Sequence, residues 1–314
     1  MSRFQPLMDA HVQAWVQALP PGGLYAPMAY LMGLPAKRVR PLLVLMACEL
    51  FGGKAGDALD EALGIELFHN FTLMHDDIMD AAPLRRGHAT VHEKWDVNTA
   101  ILSGDAMLVK AYQLMAKRPG VAALFSRYAL EVCEGQQLDM EFEQRREVGV
   151  DEYRAMIRLK TAVLLAGALR IGAAVAGAGE EDSARIGAFG EHLGLAFQLR
   201  DDLLDAFGDP TSTGKQQGGD LRAGKKTFLL IRGLELGKEH GRMELAEELA
   251  KPAADRDVSR MLRVIDELGV REESEKAVQA EERKAAEALD AISAPEERKQ
   301  PLRGLFTRLM GRSH

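Results

Sequence analysis

Twelve prolines are spread so unevenly along these 314 residues that three long stretches hold none: Leu42 to Ala82, Gly120 to Asp209 and Ala253 to Ala294. Proline is what a helix interior tolerates least, and the same stretches are dense in Ala, Leu, Glu, Arg and Met, the best helix formers. Apolar residues recur three and four apart, as in Leu63, Leu67, Phe68, Phe71 and Met74, whereas few segments alternate with period two. The chain therefore reads as almost entirely α-helical. Turns are marked by Pro20-Pro21-Gly22-Gly23, Phe51-Gly52-Gly53, Arg118-Pro119-Gly120 and Gly208-Asp209-Pro210. No low-complexity linker and no repeat of fixed period divides the sequence. One large helical domain over residues 1–314 is expected.

Forty basic against 47 acidic side chains give a net charge of −7. Nucleic-acid binding needs a basic stripe, so no nucleic-acid partner is expected, and no general membrane-binding face either. The N-terminal residues contain no apolar run of signal-peptide length. The most apolar stretch, Thr161 to Gly179, is interrupted by Arg170 and too short to span a bilayer, so a packed helix is expected there and no transmembrane segment. Cys48 and Cys133 lie far apart without CxxC spacing. They read as buried free thiols of a cytoplasmic protein, not as a disulfide or zinc site. The segment Arg271 to Gln300, crowded with Glu, Lys and Arg at helical spacing, reads as a solvated helix face.

Chemistry concentrates in two copies of the pattern DDxxD: Asp76-Asp77-Ile78-Met79-Asp80 and Asp201-Asp202-Leu203-Leu204-Asp205. On a helix, Asp76 lies beside Asp80 and Asp201 beside Asp205, where like charges repel. Each follows an apolar run, Phe68 to Met74 and Leu193 to Leu199, so the carboxylates line a cavity and require positive compensation. One accidental copy is expected in roughly one such chain in ten, and two in well under one in a hundred. Carboxylates without His or Cys partners suit Mg²⁺, which keeps several waters and shares its shell with substrate phosphates. Calcium loops are disfavoured because the spacing is helical. Basic residues sit where a diphosphate would need them: Lys37-Arg38-Val39-Arg40-Pro41 opening an early helix, Arg85-Arg86-Gly87, Lys160-Thr161, Lys215, and Gly224-Lys225-Lys226-Thr227. Singly each is ordinary surface; together they describe a cavity for two polyanions and bridging metals.

These residues resemble the trans-type isoprenyl diphosphate synthases, or polyprenyl synthetases. His69 to Asp80 with Pro83 to Gly87 is similar to that family's first aspartate-rich motif, and Phe197 to Asp205 to its second. Further matches are Lys37 to Pro41, Gly104-Asp105, Gly135 to Asp139, Lys160-Thr161, and Gly214-Lys215 through Lys225-Lys226-Thr227. Order and spacing agree over residues 33 to 230. Pro35-Ala36 departs from the Gly-Gly that many members have before the Lys-Arg pair.

The resemblance implies an all-α fold, an antiparallel helical bundle around a central cavity, and a homodimer. It implies that Asp76, Asp80 and Asp201 bind three Mg²⁺ ions bridging an allylic diphosphate, with Asp77, Asp202 and Asp205 supporting them. Arg85, Lys160, Lys215 and Lys225 are implied contacts of the allylic diphosphate; Lys37, Arg40, His69 and Arg86 are those of isopentenyl diphosphate. The implied reaction is head-to-tail condensation with dimethylallyl, geranyl or farnesyl diphosphate. An allylic C–O bond breaks, pyrophosphate leaves with its charge neutralised by metal and cations, and the C3=C4 bond of isopentenyl diphosphate attacks the carbocation. Thr161, Gln198 and the Lys160 carbonyl are implied to face the cation with oxygen dipoles. No Ser/His/Asp nucleophile is needed, because pyrophosphate takes the final proton.

A product growing along the first motif's helix advances about 5.4 Å per turn, close to one isoprene unit, so Thr72, Phe71 and then Phe68 are expected to form its floor. In the family, an aromatic residue at the position of Phe71 goes with short products. Geranylgeranyl diphosphate is the expected product and farnesyl diphosphate the next. Terpene cyclases also use aspartate-rich helices and Mg²⁺, but Lys37 to Arg40, His69, Arg86 and a second full DDxxD argue against that class. A non-catalytic subunit of a heteromeric synthase would be expected to lose part of the charged set, which here is complete.

Overall fold

The computed structural model describes residues 3–208 and 217–311. It is all-α, as the proline gaps and the three-four spacing require. In chain order the helices are α1 (Phe4–Gln17), α2 (Ala26–Gly33), α3 (Val39–Leu50), α4 (Leu59–Met79), α5 (Val91–Lys94), α6 (Val97–Met115), α7 (Pro119–Gln144), α8 (Val150–Ile157), α9 (Val163–Val175) and α10 (Glu180–Phe207). Beyond them come the helices Gly219–Ala223, Phe228–Glu239, Glu244–Leu249, Val258–Glu267, Val270–Asp290 and Glu296–Met310. The only β-pairing among the described residues is a hairpin, Leu84–Arg85 against His88–Ala89.

Local chemistry sets several boundaries. The Asp96 carboxylate accepts from Thr99 N at 2.9 Å and caps α6, and Asp257 caps Val258–Glu267 through Arg260 N at 2.9 Å. Pro119 opens α7, where its missing N–H costs nothing. Arg86 and Gly87 both have positive φ, 54° and 78°, which is the two-residue turn whose twist suits a hairpin.

The chain forms two compact units: Met1–Ala129 with Gly167–Ile186 and Ser293–Leu302, and Leu130–Ala166 with Gly187–Ile292 and Arg303–His314. In the first, α4 packs on α6 and α3, and the periodic set Leu63, Leu67, Phe68, Phe71 and Met74 is buried. In the second, Phe142, Tyr153, Met156, Leu199, Phe228 and Val278 share one apolar cluster. The boundaries at Ala129/Leu130, Ala166/Gly167, Ile186/Gly187 and Leu302/Arg303 fall inside α7, α9, α10 and Glu296–Met310.

The apolar stretch after Thr161 is the packed helix α9, and among the described residues no helix is long and apolar enough to cross a membrane. Two expectations change. Cys48 is buried, but Cys133 is exposed, because it follows Val132 on the buried face of α7 and so points away from it. The charged C-terminal run is not wholly solvated: Val270, Ser274, Val278, Glu281, Ala285 and Leu289 form a buried stripe along Val270–Asp290.

Candidate active site

Both acidic clusters sit at the C-terminal ends of helices. Asp76 and Asp77 lie in the last turn of α4, with Asp80 its C-cap and Asp80 N bonded to Asp76 O at 2.9 Å. Asp201, Asp202 and Asp205 lie in the last two turns of α10. A helix C-terminus carries partial negative charge and is where an acidic side chain is least welcome, by roughly 0.3–1 kcal/mol each. Neither cluster is therefore placed for the stability of its helix.

Within each cluster the carboxylates divide. Asp77 is buried and receives Arg85, whose Nε donates to Oδ1 at 2.9 Å and whose Nη2 donates to the same oxygen. Burial raises the Asp77 pKa and the Arg85 contact opposes that shift. Asp202 is buried too. It accepts from Tyr153 Oη and from Gln198 Nε2, the latter at 3.0 Å; burial pushes its pKa up to about 7 against the pull of those two donors. Asp80 and Asp201 are exposed and Asp76 is half-buried. Of the three aspartates that the resemblance assigns to metal, Asp80 and Asp201 thus face outward, while Asp76 lies 3.8 Å from Arg85. Asp205 instead fastens the chain where it re-enters Gly219–Ala223, its Oδ2 accepting from Asp220 N at 3.0 Å and its carbonyl from Gly218 N at 2.7 Å.

In the first unit the cations form a second group. Arg40 Nη1 donates to His69 Nε2 at 3.1 Å. A guanidinium can only donate, so His69 is neutral with its proton on Nδ1. Burial, then the charges of Arg40, Arg86 and Arg85, hold its pKa well below the ordinary value. Burial also lowers the Arg40 pKa to about 10. Arg40 Nε is buried without a hydrogen-bond partner, which is the condition of a donor awaiting an anion. Arg86 comes near this group from the hairpin, and Lys37 is exposed just ahead of α3. Arg38 turns inward instead: with φ 46° it donates to Asp9 at 3.0 Å, Glu66 at 2.9 Å and Met32 O at 2.9 Å.

In the second unit Lys160 and Thr161 sit in a π-helical turn, Arg158–Ala162. Lys160 Nζ meets Asp139 Oδ2 at 2.5 Å, and Thr161 Oγ1 donates to Gln198 Oε1 at 3.2 Å. A chain of contacts therefore runs from Thr161 through Gln198 to Asp202 and Tyr153. Lys225 is exposed just before Thr227, the N-cap of Phe228–Glu239. Lys215 lies outside the described residues.

The proposed floor is aromatic. Phe68 and Phe71 are buried with centroids 5.6 Å apart; Phe68 meets Phe125 edge-on at 5.3 Å, and Phe71 meets His75 at 4.8 Å. Thr72 commits its hydroxyl to His69 O at 2.8 Å. Nothing in the sequence signals Phe125 or Tyr153. Asp139 carries a faint signal, since it stands one turn beyond Gly135 in the same string, but its pairing with Lys160 emerges only in three dimensions.

Residues 22–266 match the model of the family described as Polyprenyl synthetase. The chain is 38% identical over 237 residues to the geranylgeranyl diphosphate synthase of Methanosarcina mazei, covering 73% of each chain. It is 34% identical over 312 residues to the geranylfarnesyl diphosphate synthase of Aeropyrum pernix, covering 96% of this chain and 97% of the other. Its fold matches a crystal structure of a geranylgeranyl pyrophosphate synthase with a TM-score of 0.94 and 43% identity, over 100% of this chain and 99% of that one.

Proposed function

The chain belongs to the polyprenyl synthetase family, and from that premise we propose that it condenses isopentenyl diphosphate with an allylic diphosphate, head to tail, to a short-chain all-trans prenyl diphosphate and pyrophosphate. The observation that carries this reading is the set Asp76, Asp80 and Asp201 near two helix C-termini, with Asp80 and Asp201 exposed and Asp76 beside Arg85 at 3.8 Å.

The donor set fits Mg²⁺. The donors are carboxylates without His or Cys partners, and Mg²⁺ is the ion that takes one or two carboxylates and completes its shell with water and substrate phosphate. Asp76, Asp80 and Asp201 are assigned to it, three ions being the family's number. When bound it neutralises charge on the departing diphosphate. Asp77, Asp202 and Asp205 hold the clusters in shape. Arg85, Lys160, Lys215 and Lys225 bind the allylic diphosphate. Lys37, Arg40, His69 and Arg86 bind isopentenyl diphosphate, with Arg40 Nε as an uncommitted donor. Thr161 and Gln198 turn oxygen toward the cation as the C–O bond breaks, and pyrophosphate takes the proton lost at the end.

Geranylgeranyl diphosphate is the proposed product, with Phe71 the floor over Phe68 and Phe125, and farnesyl diphosphate the next. The protein is proposed to act as one domain, in the cytoplasm, as a homodimer. Helices that carry both compact units support the first. An exposed face of α6 with Leu102 at 61%, Val109 at 56% and Tyr112 at 36% exposure, and Asp105 among them, supports the last. The test is incubation of the purified chain with Mg²⁺, isopentenyl diphosphate and dimethylallyl, geranyl or farnesyl diphosphate in turn. Pyrophosphate release with at least one acceptor is expected; none with any acceptor rejects the reading.

A further inference from the structure

The π-helical turn Arg158–Ala162 departs from the α-helical pattern on either side of it: Val163 N reaches back five residues to Arg158 O. Such turns are unfavourable in isolation and persist where the surroundings enforce them. Here two glycines press on the turn from two helices. A Cβ at Gly135 on α7 would lie 2.6 Å from the Leu159 carbonyl carbon and 2.7 Å from Lys160 Cα, with Lys160 N closer still. A Cβ at Gly194 on α10 would lie 2.6 Å from Ala162 Cβ, with Ala162 Cα closer. No side chain fits at either position.

Each glycine belongs to a row of residues on one face of its helix. On α7, Asp139 stands one turn beyond Gly135 and holds Lys160 Nζ, while Glu131, one turn before, lies 3.9 Å from Arg158. On α10, Gln198 stands one turn beyond Gly194 and accepts from Thr161, while Glu191, three residues before, pairs with Arg158 at 3.3 Å. Both helices therefore offer the turn a bare backbone at its centre and a polar grip on either side.

We propose that Gly135 and Gly194 are positioning residues for prenyl transfer: they set how deeply the π turn seats between α7 and α10, and so where the Lys160 ammonium and the Thr161 hydroxyl stand relative to the allylic diphosphate. This rests on the functional reading above. The two positions differ in one respect. At 135 an added methyl strikes only backbone, so the turn itself must move. At 194 it strikes Ala162 Cα most closely and the Ala162 methyl next, so trimming Ala162 removes only the second contact and the backbone must still move.

The test uses full-length G135A and G194A, with G304A as the control, because a Cβ at Gly304 meets nothing within 4 Å. In G135A and G194A, kcat/KM for the allylic diphosphate is expected to fall about 100-fold while KM for isopentenyl diphosphate moves less than about twofold, the scale expected of misplaced catalytic groups. Adding A162G is expected to restore less than about twofold in either variant, because the closest contact at both positions is backbone. On a Lys160→Ala background, G135A is expected to cost less than about a further twofold, since both act through one group. Calorimetry with Mg²⁺ and pyrophosphate should show binding weakened about tenfold in G135A and unchanged in G304A, again on the scale of coupled sites. Equal losses for both substrates, or full additivity with Lys160→Ala, would overturn the proposal. If G135A does not fold, the split between the two substrates in G194A decides the matter alone. A wild-type chain that binds Mg²⁺ and pyrophosphate but condenses nothing rejects the prenyl-transfer reading; an active wild type with an unaffected G135A rejects only the clamp.

Discussion

At the scale of single residues, each DDxxD motif holds two kinds of aspartate, and the distinction follows burial. Asp77 and Asp202 face inward and are satisfied by Arg85 and by Tyr153 with Gln198; Asp80 and Asp201 face outward. Removing one hydroxyl tests this. Tyr153→Phe leaves the apolar packing of the ring in place and takes one donor from a buried carboxylate, a loss of about 1–3 kcal/mol. A kcat lowered about tenfold, with a melting temperature a few degrees lower, is the expected outcome of steady-state kinetics and calorimetry. Phe71 makes a different prediction. Phe71→Ala opens the floor toward Phe68 and Phe125, and product chromatography should show chains at least one isoprene unit longer. An unchanged distribution removes Phe71 from that role. Much of this was legible beforehand, because Asp76 and Asp80, Gln198 and Asp202, and Phe68 and Phe71 are neighbours along one helix. Tyr153 was not: it meets Asp202 across 49 positions of sequence, and nothing local to either residue announces the pairing.

At the scale of elements, Val270–Asp290 shows why charge patterning alone misleads. Its Glu, Lys and Arg content reads as solvated, yet Glu281 is 1% exposed and accepts from Arg154 at 2.5 Å, His192 at 2.7 Å and Lys284 at 3.2 Å. Burial pushes the Glu281 pKa up, and those three donors outweigh it and hold the carboxyl at about 2. The helix is thereby fixed to α8 and α10. A carboxyl held below its ordinary value contributes stability that is complete above pH about 4.5 and disappears as the pH falls toward 2. Glu281→Gln should therefore lower unfolding free energy by roughly 2 kcal/mol at pH 7, less than for a fully enclosed pair because Arg154 and Lys284 reach water. In urea titrations the gap between variant and parent should close between pH 4.5 and 2. A gap independent of pH would mean that packing, not charge, is what Glu281 supplies. The π turn was equally hidden from sequence. No proline or glycine interrupts the run from Val150 to Ala166, and only the glycines one turn before Asp139 and Gln198 hint at a close approach.

At the scale of the whole molecule, the fold class was legible because proline spacing and apolar period both act over tens of residues, and the relatives align over the same length. The association state is a separate question. Leu102 and Val109 stand two turns apart on the exposed face of α6. Leu102→Glu with Val109→Glu should convert a dimer to a monomer in sedimentation velocity, since charge in the middle of an apolar contact costs several kcal/mol; a double variant that still sediments as a dimer places the interface elsewhere. The acidic helix ends have one more consequence, which concerns heat and not catalysis. On the proposed Mg²⁺ reading, a chain that keeps like charges near two helix C-termini is less stable empty than it could be, so occupancy and melting temperature are expected to rise together. Asp201→Asn should melt higher than the parent in chelator and gain almost nothing from Mg²⁺ with pyrophosphate, whereas the parent should gain several degrees. Thermal stability would then serve as a gauge of how full the proposed Mg²⁺ site is.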